Sequence, residues 1–248
     1  MIRTKLKKSR RITLRSILFP PMNTSTPIDP AADEPIQPGV TEASLAPYLL
    51  TPESLTKELD LQAIFPSDQP LEVELGCGSG RFVSTRAEKH PHINYLAVER
   101  MKGRAFSTAG KFQKRELSNA RLLRLEASYV VNYLLPPSSV DALYVFFPDP
   151  WPKRRHHTRR LFNDEFLTSL CRTMKLNGRA YLNTDHEDYF KVIHALFEQH
   201  PAFDPIEPVI PSEDERTGFE MVFMNQGLDI HRIGYALTRK PDARTEPA

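Results

Sequence analysis

The most specific chemistry in this chain lies in residues 146–160, which read Phe-Phe-Pro-Asp-Pro-Trp-Pro-Lys-Arg-Arg-His-His-Thr-Arg-Arg. They follow the apolar run 140–145, which predicts a buried strand that ends in a loop. The prolines restrict the backbone around Asp149 and Trp151, so both side chains are presented with little freedom. An acid beside a basic cluster indicates polar recognition next to nucleic-acid phosphate, with a purely structural loop as the alternative. The cluster comprises Lys153, Arg154, Arg155, Arg159 and Arg160.

A second group, residues 71–80, reads Leu-Glu-Val-Glu-Leu-Gly-Cys-Gly-Ser-Gly and predicts a short strand followed by a glycine-rich turn. Glycines at such a turn let the backbone approach a ligand closely. The spacing of Gly76, Gly78 and Gly80 differs from the Gly-x-Gly-x-x-Gly pattern that binds a pyrophosphate. Glu74, just before the turn, would repel a diphosphate and attract an ammonium group. The turn therefore favours S-adenosylmethionine over a nicotinamide dinucleotide.

An acid closes every predicted parallel strand of the chain. These acids are Glu74, Glu99, Glu126, Asp149 and Asp185. Because ligands of an open α/β sheet bind beyond the carboxyl ends of its strands, the acids predict one shared site. Glu99 lies at the sequence distance from the turn that suits an acid binding both ribose hydroxyls. For any single acid, capping of the following helix is the alternative.

The segments that must position these residues alternate between strand-like and helix-like, which predicts an α/β fold with a parallel sheet covered on both faces. The predicted strands are 71–75, 93–98, 121–126, 140–147 and 178–184. The predicted helices are 80–90, 100–117, 127–134, 161–174 and 186–200. The runs 219–226 and 230–238, joined by Gly227-Leu-Asp, predict a closing hairpin. We therefore expect a doubly wound, mostly parallel seven-stranded sheet that ends in an antiparallel hairpin.

Residues 1–40 differ in composition from the rest of the chain. Residues 1–15 hold seven bases and no acid, and residues 20–40 hold six prolines. We therefore expect a disordered basic tail and a Pro-rich linker. Without those seven bases, 26 Lys and Arg face 31 Asp and Glu, so the net charge of +2 conceals a slightly acidic domain. Residues 41–240 are expected to form this domain, with 41–66 as an N-terminal helical flap.

Composition narrows the class of protein further. Apolar content of 40% and charged content of 26% are ordinary for a globular protein, and no apolar stretch is long enough to span a membrane. Cys77 and Cys171 are the only cysteines, which predicts no disulfide framework and fits a reducing, cytoplasmic compartment. No Cys or His spacing indicates a metal site.

Together, these motifs resemble those of the tRNA (guanine-N7)-methyltransferase family. The resemblance rests on Glu-Leu-Gly-Cys-Gly-Ser-Gly, on Glu99 and on Phe-Pro-Asp-Pro-Trp-Pro-Lys-x-x-His-x-x-Arg-Arg. Asn183-Thr-Asp185 and Thr217-Gly-Phe-Glu220 extend it over roughly residues 45–240. It implies a class I methyltransferase that transfers a methyl group from S-adenosylmethionine to N7 of guanine 46 in the variable loop of tRNA, forming 7-methylguanosine. Monomer and homodimer are both left open.

The resemblance also implies roles for individual residues. Glu74 would face the methionine end of the cofactor, Glu99 the ribose, and Glu126 with the Ala127 amide the adenine. Asp149 would lie between cofactor and target base as the catalytic residue. The implied cofactor contacts are Glu74, Gly76, Gly78, Gly80, Glu99, Glu126, Ala127 and Asp149. The implied substrate contacts are Lys153, Asp185, Thr217 and Glu220.

Guanine N7 makes modest chemical demands because it carries a lone pair and no proton. Alignment of sulfur, methyl and nitrogen, with a carboxylate to favour the cation that develops on the purine, would suffice. Asp149 suits the carboxylate role. Trp151 would either stack on a flipped base or pack under the loop.

Three other functions stay open at this level. An amino-methyltransferase carries an Asn/Asp-Pro-Pro-aromatic motif, whereas here a single proline separates Asp149 from Trp151 and a basic run follows. A non-catalytic RNA-binding relative would not need Glu74, Glu99 and Asp149. A nicotinamide dehydrogenase is disfavoured by the glycine spacing.

Overall fold

The computed structural model describes residues 41–240, which are built around an eight-stranded sheet. Its strands are β1 (Leu49–Leu50), β2 (Leu71–Leu75), β3 (Asn94–Val98), β4 (Ala120–Leu123), β5 (Val140–Phe146), β6 (Met174–Thr184), β7 (Phe203–Ile206) and β8 (His231–Leu237). Its helices are α1 (Leu61–Ile64), α2 (Arg81–Lys89), α3 (Lys102–Lys114), α4 (Ala127–Tyr129), α5 (Asp164–Thr173), α6 (Glu187–Glu198) and α7 (Gly218–Asn225). A π-helical turn (Val130–Leu134) continues α4, and a 3-10 helix (Arg154–Arg159) follows β5.

The strand order β1-β4-β3-β2-β5-β6-β8-β7 is that of a doubly wound sheet. Neighbours from β1 to β6 are parallel, and β8 is antiparallel to both β6 and β7. The chain winds outward from β2 to β4 and then returns to place β5 on the other side of β2. This confirms the predicted mostly parallel α/β sheet, with the two-residue β1 as an additional strand, and it puts the topological switch point between β2 and β5.

Strand β2 is buried on both faces although it contains two acids. Its odd-numbered residues belong to the larger apolar core, together with α5 and α6. Because strand side chains alternate between faces, Glu72 and Glu74 point to the opposite face, where they are 4% and 3% exposed. Helix α2 covers that face, and its Arg86 forms an ion pair of 3.5 Å with Glu72. The Tyr144 hydroxyl donates a hydrogen bond of 2.9 Å to the same carboxylate.

The predicted closing hairpin is wrong in its first strand. Residues 218–225 form helix α7 instead of a strand, and the partner of β8 is β7, twenty-five residues before it. Thr217 begins the helix, since its hydroxyl accepts a hydrogen bond from the Glu220 amide, as an N-cap does. Strand β7 escaped prediction because it is short and holds Pro205, which is tolerated at a sheet edge.

The prediction that residues 41–66 form an N-terminal helical flap is also wrong, because the segment is mostly not helical. The segment is mostly turns and extended chain, with only the four-residue α1 as helix. Its β1 pairs with β4 and extends the sheet by one strand. The predicted tail and linker, residues 1–40, lie outside the described residues. Across residues 41–240, no helix is long and apolar enough to cross a membrane.

Candidate active site

The glycine-rich turn leaves the carboxyl end of β2 at the switch point of the sheet. Gly76, Gly78 and Gly80 all have positive φ, at 73°, 57° and 75°. Glycine is favoured in such a conformation because glycine has no Cβ. At Gly80 space adds a second constraint, since a Cβ would lie 2.5 Å from the side chain of Thr108 on α3. The predicted close-approach turn is therefore present, and α2 starts directly from it.

Glu99 fastens this turn to the start of α3. Its Oε2 accepts a hydrogen bond of 3.1 Å from the Gly78 amide, and its Oε1 accepts one of 2.7 Å from the Met101 amide. Burial raises the pKa of Glu99, and this effect is partly offset by these two amides and by Arg104 and Arg100. The carboxylate follows β3 and lies against the glycine turn, and its contact with a ribose stays a prediction.

Glu74 is the most unusual acid of the site. It is buried, and its Oε2 has no hydrogen-bond partner. Burial raises its pKa well above the ordinary value, Glu99 raises it further, and the Val83 amide and Arg86 lower it. An unpaired buried carboxylate is costly unless a cationic or hydrogen-bonding group completes it. The site therefore suits a ligand with a positive charge.

A cavity lies between the glycine turn and the start of α7. It is lined by Glu74, Gly76, Cys77, Gly78, Ser79, Arg81, Phe146, Thr217, Gly218 and Phe219. Glu74 and the turn thus face residues 217–219, which come much later in the chain. The orphaned carboxylate and the glycine cradle fit an amino-acid ammonium group and a sulfonium, as S-adenosylmethionine carries.

Cys77 is one of the lining residues. Its side chain is buried, and its sulfur lies 3.8 Å from the Thr108 hydroxyl oxygen. Burial raises the pKa of the Cys77 thiol well above the ordinary value, and the negative charges of Glu74 and Glu99 raise it further. The group is accordingly a neutral thiol.

The loop after β5 has a fixed shape. Phe147 and Trp151 have positive φ of 53° and 43°, which is uncommon for residues with side chains. The Phe147 amide donates to the Asn183 carbonyl at 2.7 Å, and Arg160 Nε donates to the Pro150 carbonyl at 2.8 Å. These two hydrogen bonds brace both ends of the Pro-Asp-Pro segment.

Asp149 forms an ion pair with Arg100 at 3.3 Å. Arg100 directly follows Glu99, so this pair links the loop after β5 to the segment that holds the glycine turn. Both side chains keep more than a quarter of their surface exposed, 27% for Asp149 and 29% for Arg100. Asp149 is therefore held but accessible.

Trp151 packs under the loop. Its side chain is 7% exposed, Arg159 lies over its ring at 4.9 Å, and His156 meets it edge-on at 5.6 Å. The structure thus favours the packing role of this indole over stacking on a base. By contrast, Lys153 and most of the 3-10 helix are exposed, which gives the loop a basic outer surface.

Glu126 comes three residues after the end of β4 and caps helix α4. Its Oε2 accepts hydrogen bonds from the Tyr129 amide at 2.9 Å and from the Ser128 hydroxyl at 2.5 Å. The capping alternative therefore holds for this acid, and the adenine contact implied for Glu126 and Ala127 stays a prediction. Asp185 directly follows β6 and is partly exposed.

Thr217 and Glu220 have different surroundings. Thr217 caps α7 and lines the cavity. Glu220 is fully buried, and its Oε1 pairs with Arg232 of β8 at 2.6 Å, while its Oε2 has no hydrogen-bond partner. Glu220 thus anchors α7 to the sheet in this conformation, and its contact with substrate stays a prediction.

The structure brings part of the predicted site together in one cavity. Glu74, Gly76, Gly78 and Thr217 line that cavity, and Glu99 is hydrogen-bonded to its glycine turn. The other predicted residues lie outside the cavity lining: Gly80, Glu126, Ala127, Asp149, Lys153, Asp185 and Glu220. Neither Arg100 nor Phe219 was predicted as a site residue, although the position of Arg100 beside a strand-end acid is a usable signal. Within residues 41–240, no group of His, Cys, Asp and Glu could hold a metal ion.

Comparisons with known proteins agree with this geometry. A family model described as "Putative methyltransferase" matches residues 68–233. The tRNA (guanine-N(7)-)-methyltransferase of Syntrophotalea carbinolica is 34% identical over 208 residues, covering 82% of this chain and 88% of the relative. The protein of the same name from Nitrosomonas europaea is 37% identical over 198 residues, covering 74% and 84%.

Among solved structures, the 16S rRNA methyltransferase KamB superposes with a TM-score of 0.56 and 14% sequence identity. The match covers 74% of this chain and 95% of that one. At this identity the likeness concerns the fold alone.

Proposed function

The chain belongs to the family of the tRNA (guanine-N(7)-)-methyltransferases, and on that premise we propose that it methylates N7 of a guanine in tRNA, forming 7-methylguanosine. The observation that carries this proposal is the orphaned Glu74 carboxylate in a cavity formed by a glycine turn. By family resemblance the target is guanine 46 of the variable loop.

S-adenosylmethionine supplies the methyl group from a sulfonium centre. Glu74 would receive the positive end of its methionine part, because its carboxylate is desolvated and its Oε2 lacks a hydrogen-bond partner. The positive φ values of Gly76, Gly78 and Gly80 would allow close backbone approach. Glu99 would accept the ribose hydroxyls, since each carboxylate oxygen can accept a further hydrogen bond beside the amide it already holds. Glu126 and the Ala127 amide would border the adenine.

Asp149 would act on the guanine. The transfer needs no general base, because N7 attacks with its own lone pair. Positive charge grows on the purine as the bond forms, and a nearby carboxylate stabilises that charge. Asp149 is held by Arg100 at 3.3 Å yet remains accessible, so it can also accept a hydrogen bond from the guanine N1–H or amino group. Asp185 and Thr217 would complete the substrate side with Lys153 and Glu220.

The exposed bases of the loop after β5 would hold the RNA backbone. Lys153 and the 3-10 helix 154–159 project from the same loop that holds Asp149. Phosphate contacts of this kind position a nucleic acid without reading its sequence. The loop would thus combine an ion-paired acid for the base with exposed basic side chains for the phosphates.

A direct assay tests the proposal. The protein is incubated with total unmodified tRNA and S-adenosylmethionine, and 7-methylguanosine is mapped by borohydride–aniline cleavage. We expect cleavage at one guanine of the variable loop. Methyl transfer to an amino group in a parallel panel of tRNA, DNA and protein would favour the amino-methyltransferase instead. Failure to bind cofactor in equilibrium dialysis would favour a non-catalytic RNA-binding protein.

A further inference from the structure

Residues 217–219 line one side of the cavity, and we call them its roof. They directly follow a short turn, residues 212–216, which we call the latch turn. It is closed on itself: the Glu215 and Arg216 amides donate to the Ser212 carbonyl at 2.9 and 3.0 Å. The Glu215 carboxylate also accepts from the Ser212 amide at 3.3 Å. The next residue, Thr217, caps α7 and lines the cavity. The position of the latch turn therefore sets the position of the roof.

Helix α2 presents three bases to the latch turn. Lys89 Nζ lies 2.8 Å from an Asp214 oxygen, 3.4 Å from Glu215 and 3.1 Å from the Ser212 hydroxyl. Arg86 lies 3.9 Å from Glu215, and Arg81 donates to the Glu213 carbonyl at 3.5 Å. Every acidic residue of the turn thus meets α2 through its side chain or its carbonyl.

These contacts join the two walls of the cavity. Helix α2 directly follows Gly80, the last glycine of the turn on one side of the cavity, whereas the latch turn leads into residues 217–219 on the other side. Arg86 extends the connection inward, because it also pairs with Glu72 of β2 at 3.5 Å. One chain of charges therefore runs from the sheet through α2 to the latch turn, which leads directly into residues 217–219.

We propose that the latch turn and the bases of α2 are positioning residues for the cofactor, holding residues 217–219 over the glycine turn. The inference rests on the proposed function, since it concerns the same cavity. Lys89 and Asp214 do not line the cavity, so they influence the ligand only through the placement of the roof. Cofactor affinity should then depend on an ion pair outside the ligand site.

The exposed end of this network is the suitable place for a test. Lys89 and Asp214 side chains are 38% and 59% exposed, so substitutions there leave the core intact. Lys89→Glu replaces attraction to Asp214 and Glu215 with repulsion, and Lys89→Glu with Asp214→Lys restores one attractive pair. The matched control is Glu88→Lys, which breaks the 2.9 Å pair between Glu88 and Arg115, the residue after α3, without touching the latch turn.

The measurement is the affinity for S-adenosylhomocysteine by calorimetry, without RNA, at low and high salt. We expect Lys89→Glu to bind about three- to tenfold more weakly, the double variant to recover most of that loss, and Glu88→Lys to bind like the unaltered protein. High salt should shrink the difference. In turnover assays the KM for S-adenosylmethionine should rise while kcat and the KM for tRNA stay within twofold.

The outcomes separate this proposal from the function on which it rests. Equal affinity of Lys89→Glu and the unaltered protein overturns the latch, as does an equal loss in Glu88→Lys or no recovery in the double variant. If the unaltered protein itself binds no S-adenosylhomocysteine, the proposed function fails and the latch fails with it. Thermal unfolding of each variant within a few degrees of the unaltered protein shows that affinity, and not folding, has changed.

Discussion

The two sides of the candidate site are built in opposite ways. On the cofactor side, Glu74 and Glu99 are buried, and their pKa values are raised because burial disfavours the charged form. On the substrate side, the bases from Lys153 to Arg159 are mostly exposed, and their charges are screened by water and salt. A single charge should therefore matter greatly on the first side and little on the second. Asp149, partly exposed and paired with Arg100, lies between these regimes.

The largest effect is expected at this boundary. Asp149→Ala should lower kcat by about a hundredfold or more, in the range seen when one group that stabilises a charged transition state is removed. Affinity for S-adenosylhomocysteine should stay within about threefold, because Asp149 is outside the cavity lining. Single-turnover methylation and calorimetry measure the two quantities. Asp204→Ala, an exposed acid on edge strand β7, is the control, and full activity of Asp149→Ala would remove the catalytic role.

The next largest effect concerns Glu99. Glu99→Ala should weaken cofactor binding tenfold or more, about 1.4 kcal/mol, because it removes the ribose acceptor and leaves the Gly78 and Met101 amides without their partner. Glu99→Gln keeps one acceptor oxygen, so its affinity for the cofactor should lie between those of Glu99→Ala and the unaltered protein. Calorimetry with S-adenosylhomocysteine measures this loss. An unchanged affinity of the alanine variant would contradict the expectation that a single buried charge on the cofactor side has a large effect on binding.

Glu74 should make cofactor binding depend on pH. Its raised pKa means that the free protein holds a proton there at pH values above the ordinary 4.5, and a cationic ligand favours the carboxylate. Binding should therefore release up to one proton, and affinity should rise by up to about tenfold per pH unit through the titration. Calorimetry in buffers of different ionisation enthalpy counts the proton. Glu74→Gln should abolish the release, and persistence of the release would assign it elsewhere.

The same shift has a consequence for stability. A neutral Glu74 stabilises the folded state fully below pH 4.5, and that contribution is lost as pH rises through the raised folded pKa. The ligand-free protein should thus lose thermal stability in that window through this group. Thermal unfolding of the unaltered protein and Glu74→Gln should be compared over pH 5 to 8. The unfolding temperature should fall less with rising pH in the variant than in the unaltered protein.

The smallest effect is expected on the basic side. Arg154→Ala and Arg155→Ala should each raise the KM for tRNA about two- to threefold and reduce the slope of log affinity against log salt by about one. Affinity for the cofactor should not change. Filter binding across a salt series checks this, with Arg239→Ala, an exposed base beyond β8, as the control. A loss as large as that of Asp149→Ala would contradict the contrast between the two sides.

The sequence predicted the central half of the sheet well, because β2, β3 and β5 are short apolar runs bounded by glycine, acid or proline. Strand β4 ends at Leu123, three residues before Glu126, so that acid caps a helix instead of closing a strand. The prediction of a strand over the residues of α7 is wrong because their apolar side chains fit both the strand and the helix period. The spacing Thr217-x-x-Glu220 was the available signal for a helix start.

The contacts that complete the site were beyond reach of the sequence. Arg100 meets Asp149 across 49 positions, and Arg86 meets Glu215 across 129. The chain holds many acids that could pair with each of these arginines, and only the folded topology decides which acid lies next to which arginine. The acids that follow parallel strands could be predicted to lie at one edge of the sheet, because the carboxyl ends of such strands meet there. The residues over the cavity could not be predicted in this way, because their position depends on where α7 packs.

The neutral state of Cys77 matters for an enzyme that handles an alkylating agent. A thiolate lining the same cavity as the proposed methyl donor would be a competing nucleophile, able to take the methyl group meant for RNA. Burial is the main reason that this sulfur stays protonated. The negative charge of Glu99, and that of Glu74 once a cation is bound beside it, oppose a second anion and add to this effect. The acids that would attract the donor thereby also protect the protein from methylating itself.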